Sequence, residues 1–140
     1  MSRFPKVGVI GAGQLAQMSL APAAALGIEL IPLANSTEDS AAKLTPHIVG
    51  DYKNLETVRE FAKRCDLVTF EHELIPISIV KTLEVEGLKF LPSSGSFQFS
   101  QDKALMRQKL DHLPTPKWQV VTEAIDWSYP AIAKSISGGY

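Results

Sequence analysis

Apolar positions in this chain follow two rhythms. Short aliphatic and β-branched runs alternate with stretches in which apolar residues recur every three or four positions, the signatures of buried strands and of helices. Lys6 to Ile10 predicts a first strand, and Gln14 to Leu26 a first helix with Leu15, Met18, Ala21, Ala25 and Leu26 as its apolar positions. Pro22 removes one hydrogen bond from that helix, and Gly27 suits its C-cap. Ile28 to Leu33 reads as the second strand, its ladder ending near Pro32. A polar stretch follows, with one helical turn at Asp39 to Leu44, and then a short third strand at His47 to Gly50. Asn54 caps a helix reaching Arg64, with Leu55, Val58, Phe61 and Ala62 on one face. Asp66 to Phe70 is the fourth strand. Pro76 opens a helix that carries Ile77, Val80 and Leu83 and stops at Gly87. Leu88 to Leu91 is the fifth strand, Ser93 or Ser94 caps a short helix through Phe99, and Gln101 to Leu113 predicts one more helix.

Strands alternating with helices predict an α/β fold, a Rossmann-like parallel sheet flanked by helices. Pro114-Thr115-Pro116 fits neither a helix interior nor a central strand and reads as a linker. Residues 1–113 therefore form one expected domain, and 114–140 a linker with the start of a second. Trp118 to Val121 and Ala131 to Lys134 read as strands of that second unit, with Trp118 and Trp127 as packing groups. Gly138-Gly139 belongs in the middle of a turn, so the sequence is expected to be the N-terminal piece of a longer protein.

Composition narrows the class. The 140 residues are 45% hydrophobic with a net charge of −1, and the mean hydropathy is near zero. This is a globular composition with enough chain for a core. It gives no reason to expect a nucleic-acid or membrane partner. Cys65, the single cysteine, permits no internal disulfide, fits a cytoplasmic protein and reads as a small core residue. His47, His72 and His112 show no metal-ligand spacing.

The densest chemical signal is the first strand and the turn after it. Gly11 and Gly13 have no Cβ to hold a neighbour away, and the first amides of the following helix suit an anion such as phosphate. A lone Gly-x-Gly is a weak signal, and a plain strand-to-helix turn explains it as well. Glu71 and Glu73 fall at the C-terminal end of the fourth strand, where ligands gather in open α/β sheets. Their plain alternative is to favour the positive end of the helix near Pro76. Neither is assigned as a general base, and no catalytic residue is assigned. Lys103 is, by default, a solvated helix lysine. Lys134 ends an apolar run just before glycines.

Gly11-Ala12-Gly13-Gln14-Leu15, Val49-Gly50-Asp51-Tyr52, Asp66-Leu67-Val68-Thr69-Phe70-Glu71-His72-Glu73, Gln101-Asp102-Lys103 and Lys134 with Gly138-Gly139-Tyr140 occur in that order. The set resembles the N5-carboxyaminoimidazole ribonucleotide synthase family of ATP-grasp enzymes over nearly the whole chain. The resemblance implies a Rossmann-like pre-ATP-grasp domain followed by the start of an ATP-grasp domain. It implies ATP-dependent carboxylation of aminoimidazole ribonucleotide by bicarbonate in purine biosynthesis, through carboxyphosphate and with Mg2+. The metal ligands, and most of the nucleotide clamp, would lie in C-terminal sequence not included here, and the full-length protein would be a homodimer. Departures from the family pattern are Ala16 where glycine is usual, Gln17 where a basic residue is common, and Leu33-Ala34-Asn35 where the second strand usually ends in an acid.

Residue by residue, the resemblance implies that Gly11, Gly13, Gln14 and Leu15 position the ribonucleotide, Gln14 through its amide and Leu15 through its backbone N–H. Glu71 and Glu73 would accept hydrogen bonds from ribose hydroxyls or the amine. Lys103 and Lys134 would contact ATP, Lys134 as a point charge on the phosphates, with Gly138 and Gly139 opening the loop over them. Three other readings compete, among them a non-catalytic binding or interaction module. Another is a nicotinamide dinucleotide-binding domain, which the absence of an Asp or Glu at the end of the second strand disfavours. The last is a different ATP-grasp ligase, such as formate-dependent glycinamide ribonucleotide transformylase or biotin carboxylase.

Overall fold

The computed structural model describes residues 4–123 and 130–138. Four parallel strands form the sheet: β1 (Lys6–Ile10), β2 (Glu29–Ala34), β3 (Ile48–Val49) and β4 (Leu67–Phe70), in the order β3-β2-β1-β4. The helices are α1 (Gln14–Ala25), α2 (Leu55–Ala62), α3 (Ile77–Val85), α4 (Ser94–Gln101) and α5 (Lys103–Lys109). This is the expected α/β architecture. The chain order switches direction between β1 and β4, so β1 lies at the centre and its C-terminal end opens at a topological switch point, where α/β sheets bind ligands.

Side-chain alternation along the strands makes two unequal cores. On one face Ile10, Leu33 and Val68 pack with Val58 and Phe61 of α2, Ile79, Val80 and Leu83 of α3, and Phe97 of α4. Phe70 stacks on Phe97 with ring centroids 4.0 Å apart. On the other face Val9 and Ala34 meet Ala12, Ala16, Ala41 and Ala42. Helix α1 therefore sits close to the sheet through small residues. Its larger apolar residues, expected as a packing set, face outward instead: Leu15, Met18 and Leu26 are 61%, 65% and 75% exposed.

Gly8 shows why β1 carries a glycine mid-strand. A Cβ there would lie 2.7 Å from Cys65 Sγ and 2.8 Å from the Phe61 ring, so Phe61 closes on β1 only because that position is bare. The same burial pushes the Cys65 thiol up to about 11. Asn54 caps α2 as expected, its side chain accepting from Thr57 N at 3.0 Å. On the outer surface Arg59 of α2 binds both carboxylate oxygens of Glu86, just past α3, at 2.8 Å each. It also pairs with Glu56.

Three expectations fail. The predicted fifth strand at 88–91 is only an isolated parallel bridge, Val68 to Phe90. Residues 118–121 and 131–134 form no strand and are largely exposed; among the described residues no strand lies beside them, and β propensity alone leaves the ladder unmade. The predicted helix from Gln101 is two pieces. Asp102 is extended (φ −122°, ψ 106°), ends α4 and caps α5 by accepting from Leu105 N at 2.8 Å. The Pro114–Pro116 stretch is irregular. Trp127, Gly139 and Tyr140 lie outside the described residues. Among the described residues no helix is long and apolar enough to cross a membrane.

Candidate functional site

β1 ends at Ile10 and the chain turns sharply. Gly11 has φ +112°, a conformation L side chains rarely adopt, and its N–H donates to Leu33 O at 3.1 Å. Ala41 N donates to Ala12 O at 2.8 Å, which ties the turn after β1 to the turn after β2. Gly13 then stands at the N-cap of α1 with no side chain to satisfy the first amides.

The missing acceptor comes from β4. Glu71 N donates to Ile10 O at 2.9 Å, extending the β1–β4 ladder one residue past the strand and setting Glu71 beside Gly11. Its carboxylate then accepts from Gly13 N at 2.6 Å through Oε2, and from Leu15 N at 3.0 Å and Ala16 N at 3.2 Å through Oε1. A Cβ on Gly11 would lie 2.5 Å from Glu71 Oε2, and one on Gly13 2.7 Å from Oε1. The two glycines leave room for this carboxylate.

Two expectations change. The helix amides expected to await a phosphate already hold an internal anion. Glu71 serves α1, across the sheet, rather than the helix near Pro76. The Leu15 N–H, to which the resemblance gives a substrate contact, donates to Glu71 here, while the Leu15 side chain stays exposed.

Gly11, Ala12, Gly13, Gln14, Leu15, Asn35, Asp39, Glu71, His72 and Glu73 line one cleft of about 480 Å³. All six ribonucleotide-binding candidates are therefore on one rim. The loop carrying the acids is anchored from outside. The Gln101 side-chain amide donates to Glu73 O at 2.7 Å and Ile75 O at 2.6 Å. His72 accepts from Leu74 N at 3.3 Å through Nδ1 and rests against Tyr52, with ring centroids 4.9 Å apart. Among the described residues the Glu73 carboxylate has no partner. Among the described residues no lysine or arginine lines the cleft.

Sequence reasoning missed Asn35, Asp39 and His72. Asp39 Oδ2 accepts from Asn35 N at 2.9 Å and Ser36 N at 3.2 Å. The acid absent from the end of β2 is thus delivered from four residues beyond Asn35. An Asn-Ser pair followed by Asp is the turn pattern that could have signalled it.

The four nucleotide-binding candidates meet the structure unevenly. Lys103 N donates to Ile136 O at 2.9 Å and Lys103 Nζ to Gly138 O at 2.6 Å, so Lys103 and Gly138 are brought together at the start of α5. Lys134 is exposed, and Gly139 lies outside the described residues. The α4–α5 junction joins the two regions, with Gln101 reaching the cleft rim and Lys103 reaching 136–138.

Comparison with known proteins agrees with this architecture. The profile of the ribonucleotide synthetase preATP-grasp domain matches residues 4–101. N5-carboxyaminoimidazole ribonucleotide synthase of Mycobacterium tuberculosis is 34% identical over 97% of this chain and 34% of its own length. The Pseudomonas aeruginosa enzyme of that name is 32% identical over 96% of this chain and 40% of its own. The Thermotoga maritima N5-carboxyaminoimidazole ribonucleotide synthetase superposes with a TM-score of 0.78 at 28% identity, over 86% of this chain and 34% of that one. An Aspergillus clavatus N5-carboxyaminoimidazole synthase, in complex with ADP and 5-aminoimidazole ribonucleotide, gives a TM-score of 0.71 at 31% identity, over 80% of this chain and 30% of that one. The chain spans about a third of the length of these relatives. With a parallel sheet of this order and a match across most of its described residues, the chain belongs to the ribonucleotide synthetase preATP-grasp domain family.

Proposed function

We propose that this chain is the ribonucleotide-binding N-terminal part of an N5-carboxyaminoimidazole ribonucleotide synthase. The complete enzyme would be a cytoplasmic homodimer of purine biosynthesis that uses ATP and bicarbonate to carboxylate the exocyclic amine of 5-aminoimidazole ribonucleotide. Residues 1–113 would be the pre-ATP-grasp domain, and 114–140 the linker and opening of the ATP-grasp domain. The observation that carries the reading is the gathering of Gly11, Gly13, Gln14, Glu71 and Glu73 around one cleft at the C-terminal end of the sheet. The Aspergillus clavatus relative, whose structure holds ADP and aminoimidazole ribonucleotide, supports the choice of ligand.

In this reading Glu73, which lines the cleft and has no partner among the described residues, accepts a hydrogen bond from a ribose hydroxyl or the amine. Glu71 shapes the turn with three of its four or so lone-pair positions and offers what remains to the same donors. Gln14 donates or accepts from the first turn of α1, and Leu15 contributes apolar surface. Cationic groups suit phosphates, so Lys103 and Lys134, with Gly138 and Gly139, would hold the ATP phosphates. ATP would supply the activated phosphoryl group, and the Mg2+ ligands would lie beyond these residues. The dinucleotide-binding reading needs a pyrophosphate on the α1 amides, where Glu71 already sits.

Titration of the isotope-labelled chain with aminoimidazole ribonucleotide tests the proposal. Amide shifts centred on residues 11–15 and 71–73, and lost in Glu73→Gln, are the expected result. Binding of NADH at that rim in preference to the ribonucleotide would remove the reading.

A further inference from the structure

We propose that Glu71 is the specificity-determining residue of the glycine turn, an intramolecular anion that fills the place where an open turn takes a phosphate. Three helix-terminal amides converge on its two oxygens at 2.6, 3.0 and 3.2 Å. Those are the donors that make a helix N-terminus attractive to phosphate. Their being engaged turns the site from a receptor for anions into one that rejects them.

Fit and electrostatics agree on this. The space left by the two missing Cβ atoms is filled by Glu71 itself, at 2.5 Å for Gly11 and 2.7 Å for Gly13. The carboxylate is not a chance surface contact. It stands 58 residues from Gly13 in sequence and is placed by the β1–β4 ladder bond to Ile10. A phosphate entering the turn would have to expel Glu71 and then sit on a rim shared with Asp39 and Glu73, with no lysine or arginine among the described residues that line it. Like charges gathered on one rim repel one another. The turn thus admits hydroxyl and amine donors, and the anionic end of any cleft ligand points away from it. This holds whichever small molecule fills the cleft, so it does not depend on the synthase reading.

The test is titration of the chain and of Glu71→Ala with inorganic phosphate, read at the Gly13, Leu15 and Ala16 amides against sodium chloride of equal ionic strength. The parent chain is expected to show no saturable response at these amides. The variant is expected to gain phosphate affinity at least about tenfold, in keeping with a charge at a helix terminus. Saturable binding by the parent as tight as the variant's, or no gain in a variant whose other amides keep their positions, overturns the proposal. A second measurement needs no variant. In the parent, Gly13 and Leu15 amides should exchange with solvent at least about tenfold more slowly than the intervening Gln14 amide. Equal exchange at all three would show that Glu71 does not occupy the turn.

Discussion

At the scale of single residues, the chain is governed by what is missing at glycines. Gly8 admits the Phe61 ring and the Cys65 sulfur onto β1. Gly8→Ala should therefore destabilise the chain by about 1–3 kcal/mol, the usual cost of overpacking, as a lower urea midpoint with an unchanged slope. Cys65, its thiol pushed up to about 11 by burial, should be alkylated far more slowly in the native chain than in urea at mildly alkaline pH. Because the folded value is raised, the stability tied to this thiol is complete below the ordinary thiol range. It is lost as pH climbs through that range toward 11. Glu73, with no partner among the described residues, is the contrasting case. Glu73→Gln should leave stability within about 0.5 kcal/mol while lowering ribonucleotide affinity at least about tenfold.

Between elements, polar side chains set the spacing that apolar burial leaves loose. The Asn54 cap on α2 was readable from sequence because a cap lies within three residues of the amide it serves. Asn54→Ala should cost about 1 kcal/mol, measured by thermal unfolding. The Arg59 link from α2 to Glu86 joins residues 27 apart, and no local pattern announces it. Hydrogen bonding to Arg59 holds the Glu86 carboxyl below the usual carboxylate range. A depressed folded value means that this stabilisation is present above the ordinary carboxylate pKa and is lost as pH falls through the folded value. Arg59→Met should lower the urea midpoint at neutral pH and flatten its decline in acid. Helix α1 illustrates the reverse error. Its spacing pointed to Leu15, Met18 and Leu26 as a core face, yet the sheet accepts only the slimmer Ala16 and Ala23, which are buried. Hydropathy counts the larger side chains and takes no account of how closely two backbones approach.

For the whole molecule, we expect no ATP- and bicarbonate-dependent product from the 140 residues alone, since they span about a third of the relatives' length. An assay of the purified chain beside a full-length relative checks this. The sequence by itself determined the order of strands and helices through α3, the parallel sheet and the glycine turn, because each is written in neighbouring residues through apolar period, caps and backbone freedom. It also placed Glu71 and Glu73 at a strand end. Tertiary structure alone decided that Glu71 faces the α1 amides, that Asp39 reaches the cleft from the loop after β2, and that Gln101 steadies the rim. It also decided that the segments at 118–121 and 131–134 form no strand. Each of these depends on which distant backbone groups the fold sets within hydrogen-bonding reach, a quantity that no local window of side chains contains.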